Sequence, residues 1–280
     1  DGIRDSWASR GLGDVYKRQL LERGLDKNIL EEFQLGYVPW KNNFYDELLK
    51  KYTPEDIELT GLYYKNDKTE KYIDRFNSRI IFPVNNITGD TIAFGGRIIR
   101  DGKLAKYINS PETEFYKKGN MIFNLDKAKH SRADTDEVII VEGYMDVVSV
   151  YSSGIKNVIA NSGTALTERQ IDLIWKFFSN PIICLDGDES GYKAALRAAE
   201  NSIKELRPEK QISFLFLPDK EDPDSYVNTH GKNYFVDFTK QSKLSIHQFI
   251  FSHYKKQTDN NPSSMAIFEK KLRAIANTIK

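Results

Sequence analysis

The rhythm of apolar residues changes near position 136. Upstream, hydrophobic residues fall in short and irregular groups. Residues 20–25 and 26–33 read as two short helices broken at Gly24, with Asp26 placed to cap the second. Residues 35–39 look extended, and 44–52 repeat at a helical spacing. Thr53-Pro54-Glu55-Asp56 has the form of a new helix start, a hydroxyl cap followed by proline at the first helical position. Residues 80–84 and 91–99 read as strands, and Asn86-Ile87-Thr88-Gly89-Asp90 supplies the turn. This first part predicts an α+β arrangement.

Downstream, strands and helices alternate. Apolar runs at 138–141, 157–160, 182–185 and 212–217 predict buried strands, and 144–152, 167–178 and 189–206 predict the helices between them. Such alternation implies an α/β domain with a parallel sheet. Past Asp224 the pattern turns helical at 244–256 and 263–279, separated by a polar stretch over 257–262. Residues 1–19 fit neither pattern. They hold Gly2, Gly11 and Gly13 with no clear period, which reads as a non-native or disordered leader such as a translated adapter remnant.

Composition narrows the classes. With 40% hydrophobic and 29% charged residues in 280, the chain reads as an ordinary globular protein of about two domains. No apolar run approaches the roughly 20 residues that span a bilayer. Cys184 is the one cysteine and lies inside an apolar run, so core packing is its expected role. One cysteine and four scattered histidines build no zinc cluster, and cytoplasmic residence follows. Net charge is +1 but unevenly spread. Residues 65–118 carry eleven Lys/Arg against seven Asp/Glu, and residues 136–224 carry nine against sixteen. A basic stretch followed by an acidic one suits a polyanion and metal ions.

The acidic residues cluster where three predicted strands end. Glu142 and Asp146 follow the first, Asp186-Gly187-Asp188 follows 182–185, and Glu221-Asp222-Pro223-Asp224 follows 212–217. In open α/β sheets, ligands bind beyond the carboxyl ends of the strands, so these carboxylates are expected to meet at one edge. Gathered carboxylates repel unless a cation neutralises them, and hard oxygen donors favour Mg²⁺. Taken singly, each motif also has a plainer reading: a solvated turn for Glu142-Gly143, a tight turn for Asp186–Asp188, and a helix cap with Asp224 as capping residue. Gly95-Gly96-Arg97 offers close backbone approach and a forked guanidinium for phosphate, or alternatively a bulge with a surface arginine. Lys106-Tyr107-Ile108-Asn109 combines a cation, a stacking ring and an amide, or is an ordinary polar loop. Arg75 and Arg79 flank Phe76 and extend the basic set.

These residues carry a family resemblance. Val141-Glu142-Gly143-Tyr144-Met145-Asp146-Val147, Asp186-Gly187-Asp188 and Glu221–Asp224 resemble the Toprim metal site. Together with Arg75-Phe76, Arg79–Pro83, Phe94–Arg97 and Lys106–Thr113, in that order, they are similar to the RNA-polymerase core of bacterial DnaG-type primases. The resemblance implies a Toprim parallel sheet flanked by helices, preceded by an α+β subdomain and followed by a helical segment. It divides the chain into a leader at 1–19, a basic subdomain at 20–133, a Toprim domain at 134–225 and a helical segment at 226–280. It implies Mg²⁺-dependent nucleotidyl transfer, with Mn²⁺ as a substitute and no zinc. Glu142, Asp186 and Asp188 would be catalytic; these three with Asp146, Asp222 and Asp224 would surround the metal. Arg75, Arg79, Arg97, Lys106, Tyr107 and Asn109 would bind nucleic acid or nucleotide. Expected partners are single-stranded DNA, ribonucleoside triphosphates, the RNA primer and, through a domain outside this chain, a replicative helicase. The chain itself is expected to be a monomer with no membrane partner. Asn77 stands where the family often has a third basic residue. Rival readings are a Toprim nuclease or topoisomerase-like enzyme and a non-catalytic DNA-binding fragment. The basic stretch from Arg75 to Thr113 argues against the nuclease and topoisomerase.

Overall fold

The computed structural model describes residues 20–21, 24–98, 105–161, 166–259 and 261–279. The expected leader at 1–19 and the end of the 91–99 strand lie outside them. The chain separates into two compact units, Asp1–Lys118 and Gly119–Lys280.

In the first unit, helix α1 (Lys27–Glu32) is capped by Asp26, whose Oδ1 accepts from the Ile29 amide at 2.8 Å. Strand β1 (Gly36–Val38) follows, then helices α2 (Phe44–Leu49) and α3 (Pro54–Leu59). Helix α3 starts at the Thr53 cap the sequence predicts, and Asp56 completes a full capping box with it. A two-stranded ribbon, β2 (Tyr63–Lys65) and β3 (Tyr72–Asp74), precedes β4 (Arg79–Asn85), β5 (Thr91–Ile98) and β6 (Tyr107–Asn109). The antiparallel sheet runs β1-β4-β5-β6. Asn86 closes the β4–β5 turn, its Oδ1 accepting from the Thr88 and Asp90 amides. One face of the sheet meets a core of Val38, Ile57, Leu62, Tyr63, Phe76 and Ile81, with Phe94 and Ile108 packed against it. The stretch read as a possible polar loop at 106–111 instead contains β6, an edge strand too short to carry a period of its own.

The second unit begins with helix α4 (Leu125–Ala128) and continues as β7 (Glu137–Val141), α5 (Tyr144–Ser152), β8 (Val158–Ala160), α6 (Glu168–Trp175), β9 (Asn180–Leu185), α7 (Glu189–Ser202) and β10 (Ser213–Phe216). After these come α8 (Pro223–Ser242), a two-residue strand β11 (Leu244–Ser245), α9 (Ile246–Lys256) and α10 (Pro262–Ala276). The sheet order is β11-β10-β9-β7-β8, with β10, β9, β7 and β8 parallel. The central strands are buried along nearly their whole length, which explains their unbroken apolar sequence. Cys184 is buried within β9, and burial pushes its thiol pKa up, consistent with a packing role.

Two expectations for the last third change. Helix α8, in keeping with the helical segment expected over 226–280, bends at Gly231, whose φ is +81°. Its cap is Asp222, whose Oδ1 accepts from the Ser225 amide at 2.7 Å, rather than Asp224. Leu244, expected to open a helix, lies in β11 antiparallel to β10; Ser245 then caps α9.

Candidate active site

Each acidic motif sits where a parallel strand releases the chain. Glu142 follows β7, Asp186 follows β9, and Glu221–Asp224 lies on the connection from β10 into α8. Strands β7, β9 and β10 are consecutive neighbours, with Ile140 opposite Ile183 and Leu185 opposite Phe216. Three motifs distant in sequence are thus brought to adjoining strand ends on one edge.

Backbone amides and neighbouring side chains orient the carboxylates. Asp146 lies in the first turn of α5, and its Oδ2 accepts from the Gly143 amide at 2.9 Å. Asp188 caps α7, its Oδ1 accepting from the Gly191 amide at 2.7 Å. Asp224 accepts from Ser149 Oγ at 2.5 Å and from Asn228 Nδ2 at 2.7 Å. Ser225 Oγ donates to Glu221 at 2.6 Å. Gly187 is required by packing, since a Cβ there would run into the Pro218 and Leu217 carbonyl oxygens. That close approach brings the β9 and β10 exits together. Ser149 escaped the sequence reading; its only signal was a hydroxyl within the apolar run of α5.

The edge is electrostatically crowded. Asp146 is pushed up to about 7, first by burial and then by Asp222, with Asp186 and Asp224 adding, while the Gly143 amide opposes. Asp186 is pushed up to about 6 by burial, then by Glu142, Asp222 and Asp188. Glu142 is raised by loss of water and by Asp188. The residue as a whole is exposed, so solvent moderates that shift. Among the described residues no three His, Cys, Asp or Glu side chains converge as a ready-made metal cage. The donors are nonetheless all carboxylate oxygens, and burial together with their neighbours raises the proton affinity of Glu142, Asp146 and Asp186. This fits a hard divalent cation that takes one or two carboxylates and completes its shell with water and phosphate.

The basic residues of the first unit divide into distinct placements. Arg97 on β5 stands opposite Tyr107 on β6, its guanidinium carbon 5.5 Å from the ring centroid. Asn109 pairs with Gly95, two residues along, on the same face. Lys106 is exposed beside them. Arg75 lies elsewhere, donating to the Gly61 carbonyl at 2.9 Å with its guanidinium over Tyr64. Arg79 departs from the expectation. It is 5% exposed, on the core face of β4, and donates to the carbonyls of Ala105 at 2.9 Å and Lys106 at 3.3 Å. It braces the approach to β6 instead of facing solvent. Gly96 also serves packing, because a Cβ would meet the Phe76 ring and the Arg79 stem. Asn77 donates to the Trp40 carbonyl at 3.2 Å, and Trp40 itself is 70% exposed. That exposed ring was not singled out in the sequence, where Trp40 stood alone between Pro39 and Lys41.

Comparison with known proteins gives two matches along the chain. Residues 11–129 match the family model for the N-terminal domain of the DNA primase catalytic core, and residues 136–216 match a Toprim domain. A DNA primase of Haemophilus influenzae is 39% identical over 254 residues, which cover 89% of this chain and 42% of that protein. A DNA primase domain from Pseudomonas aeruginosa superposes with a TM-score of 0.89 at 33% identity, covering 99% of this chain and 88% of that one. A DnaG primase catalytic domain bound to single-stranded DNA gives a TM-score of 0.91 at 30% identity, covering 100% and 88%.

Proposed function

The chain belongs to the DNA primase catalytic-core family, and from that premise we propose that it copies single-stranded DNA into short RNA primers by metal-dependent nucleotidyl transfer. The observation that carries the reading is the acidic edge, where carboxylates beyond three neighbouring strands gather and raise the proton affinity of Asp146 and Asp186. In this reaction the 3′-hydroxyl of the growing chain attacks the α-phosphate of an incoming ribonucleotide, and pyrophosphate leaves. Mg²⁺, or Mn²⁺ in its place, supplies positive charge to the attacking and leaving oxygens when bound.

Asp186 and Asp188 are assigned to hold that ion, with Glu142 contributing a further oxygen. Asp146, Asp222 and Asp224 are assigned to the surrounding edge of the ion site. Glu142 is also assigned to take the proton of the attacking hydroxyl, for which its raised pKa makes it a stronger base than an ordinary carboxylate. Arg97, Lys106, Tyr107 and Asn109 are assigned to nucleic acid or nucleotide, combining cations, a ring and an amide on one sheet region.

The deciding assay is incorporation of labelled ribonucleotides on single-stranded DNA, with and without Mg²⁺. Short RNA made only with Mg²⁺, and not by Asp186→Asn, is the expected result. Metal-dependent cleavage of the DNA without synthesis would replace this reading with a Toprim nuclease.

A further inference from the structure

The acidic motifs end at Asp224, yet a helix beyond them packs onto the elements that carry two of the three. Tyr192 closes the first turn of α7, its amide donating to the Asp188 carbonyl at 3.1 Å. Its ring centroid lies 5.7 Å from that of Phe216, the last residue of β10. On the other side it lies 5.4 Å from Phe249 and 5.8 Å from His253, both on α9. The Tyr192 hydroxyl oxygen is 3.0 Å from His253 Nδ1, and Gln257 Nε2 is 3.0 Å from His253 Nε2. With the Gln257 amide donating to Nε2, Nδ1 carries the ring proton and donates to the Tyr192 oxygen; in the other tautomer the Tyr192 hydroxyl donates to Nδ1, so the Tyr192–His253 bond forms either way. Burial favours this neutral ring, lowering the His253 pKa; Glu200 on α7 opposes, while Lys271 on α10 and Lys256 on α9 reinforce.

Asp188 depends on this turn twice. Its carboxylate is oriented by the Gly191 amide, and its carbonyl is bonded by Tyr192. Phe216, also against the Tyr192 ring, lies opposite Leu185, the residue before Asp186. One tyrosine therefore touches the supports of both aspartates and is itself tied to α9.

We propose that Tyr192 and His253 are positioning residues for the acidic edge, their hydrogen bond fixing the first turn of α7 against α9 and thereby setting the divalent-cation affinity of the Asp186–Asp188 pair. This rests on the reading that those aspartates hold the ion. The test is Mn²⁺ binding to the whole chain without nucleotide, followed by calorimetry or by loss of the free Mn²⁺ resonance signal. Tyr192→Phe removes the bond and keeps the ring; His253→Ala removes the partner. Each should weaken Mn²⁺ binding about three- to tenfold, and the double variant no more than the worse single, as for two partners in one interaction. Melting of the chelated Tyr192→Phe protein should stay close to the parent, separating positioning from folding. Singles within twofold of the parent, alongside an Asp188→Asn control that loses binding, overturn the proposal. Additive losses in the double variant also overturn it, because the two groups would then act separately. If Asp188→Asn itself binds Mn²⁺ normally, it is the metal-site reading that fails.

Discussion

At the residue scale, the proposed chemistry rests on carboxylates placed at a cost to the fold. Asp186→Asn or Asp188→Asn should abolish metal-dependent synthesis while the chain stays folded. Removing one charge from a crowded edge relieves repulsion, so stability in chelator should hold or rise. Thermal melts beside primer-synthesis assays check this, and a variant unfolded at room temperature would sink it. Glu142 poses a sharper question, whether it acts on the ion or on the proton. Glu142→Gln keeps size and one acceptor oxygen but cannot take up a proton, so a loss on the order of 10²–10⁴-fold is expected. If ligation dominates, as the anionic surroundings suggest, raising Mg²⁺ or substituting Mn²⁺ should restore much of the rate. Rate measured against metal concentration and pH separates the two roles.

At the element scale, the β4–β5–β6 sheet gives its arginines opposite tasks. Arg97 lies on the sheet face shared with Tyr107 and Asn109, whereas Arg79 on the next strand is inside. Arg97→Ala and Lys106→Ala should each lower the salt slope of single-stranded DNA binding by about 0.7, the share of one phosphate contact. Unchanged slopes in both would move the basic surface elsewhere. Arg79→Ala should leave that slope alone and instead cost about 1–3 kcal/mol of stability, because the buried Arg79 stem and its hydrogen bonds to the Ala105 and Lys106 carbonyls are lost. Denaturant titration measures that loss. In sequence the two arginines looked alike, since each borders an apolar run. Strand alternation alone cannot say which face of a sheet is covered, so the difference had to come from packing.

At the scale of the whole molecule, the acidic edge links stability to pH and to metal. A carboxyl whose pKa is raised in the folded chain binds its proton more tightly there than when unfolded. The fold is therefore penalised as pH rises from the unfolded value of 3.8, and the penalty is complete above about 7 for Asp146 and about 6 for Asp186. For the half-buried Asp146 this amounts to on the order of 2–4 kcal/mol. Melting temperature in chelator should consequently fall between pH 5 and pH 8. Saturating Mg²⁺ should flatten that fall at the upper end, because an ion that binds only the folded, ionised edge stabilises it. A melting temperature that is flat in chelator across this range would contradict the crowding. Much of this molecule was legible beforehand. Local rules read from the chain give the Asp26 and Thr53 caps, the β4–β5 turn and the alternation of the second unit, because each depends on neighbours within a few residues. The strand-end position of Glu142 and Asp186 was legible for the same reason. Tertiary structure alone decided that β7, β9 and β10 are adjacent, that Ser149 holds Asp224, that Arg79 is buried and that Leu244 joins a sheet edge. Those outcomes depend on contacts between residues far apart in sequence, where burial and pairing partners, not local propensity, set the free energy.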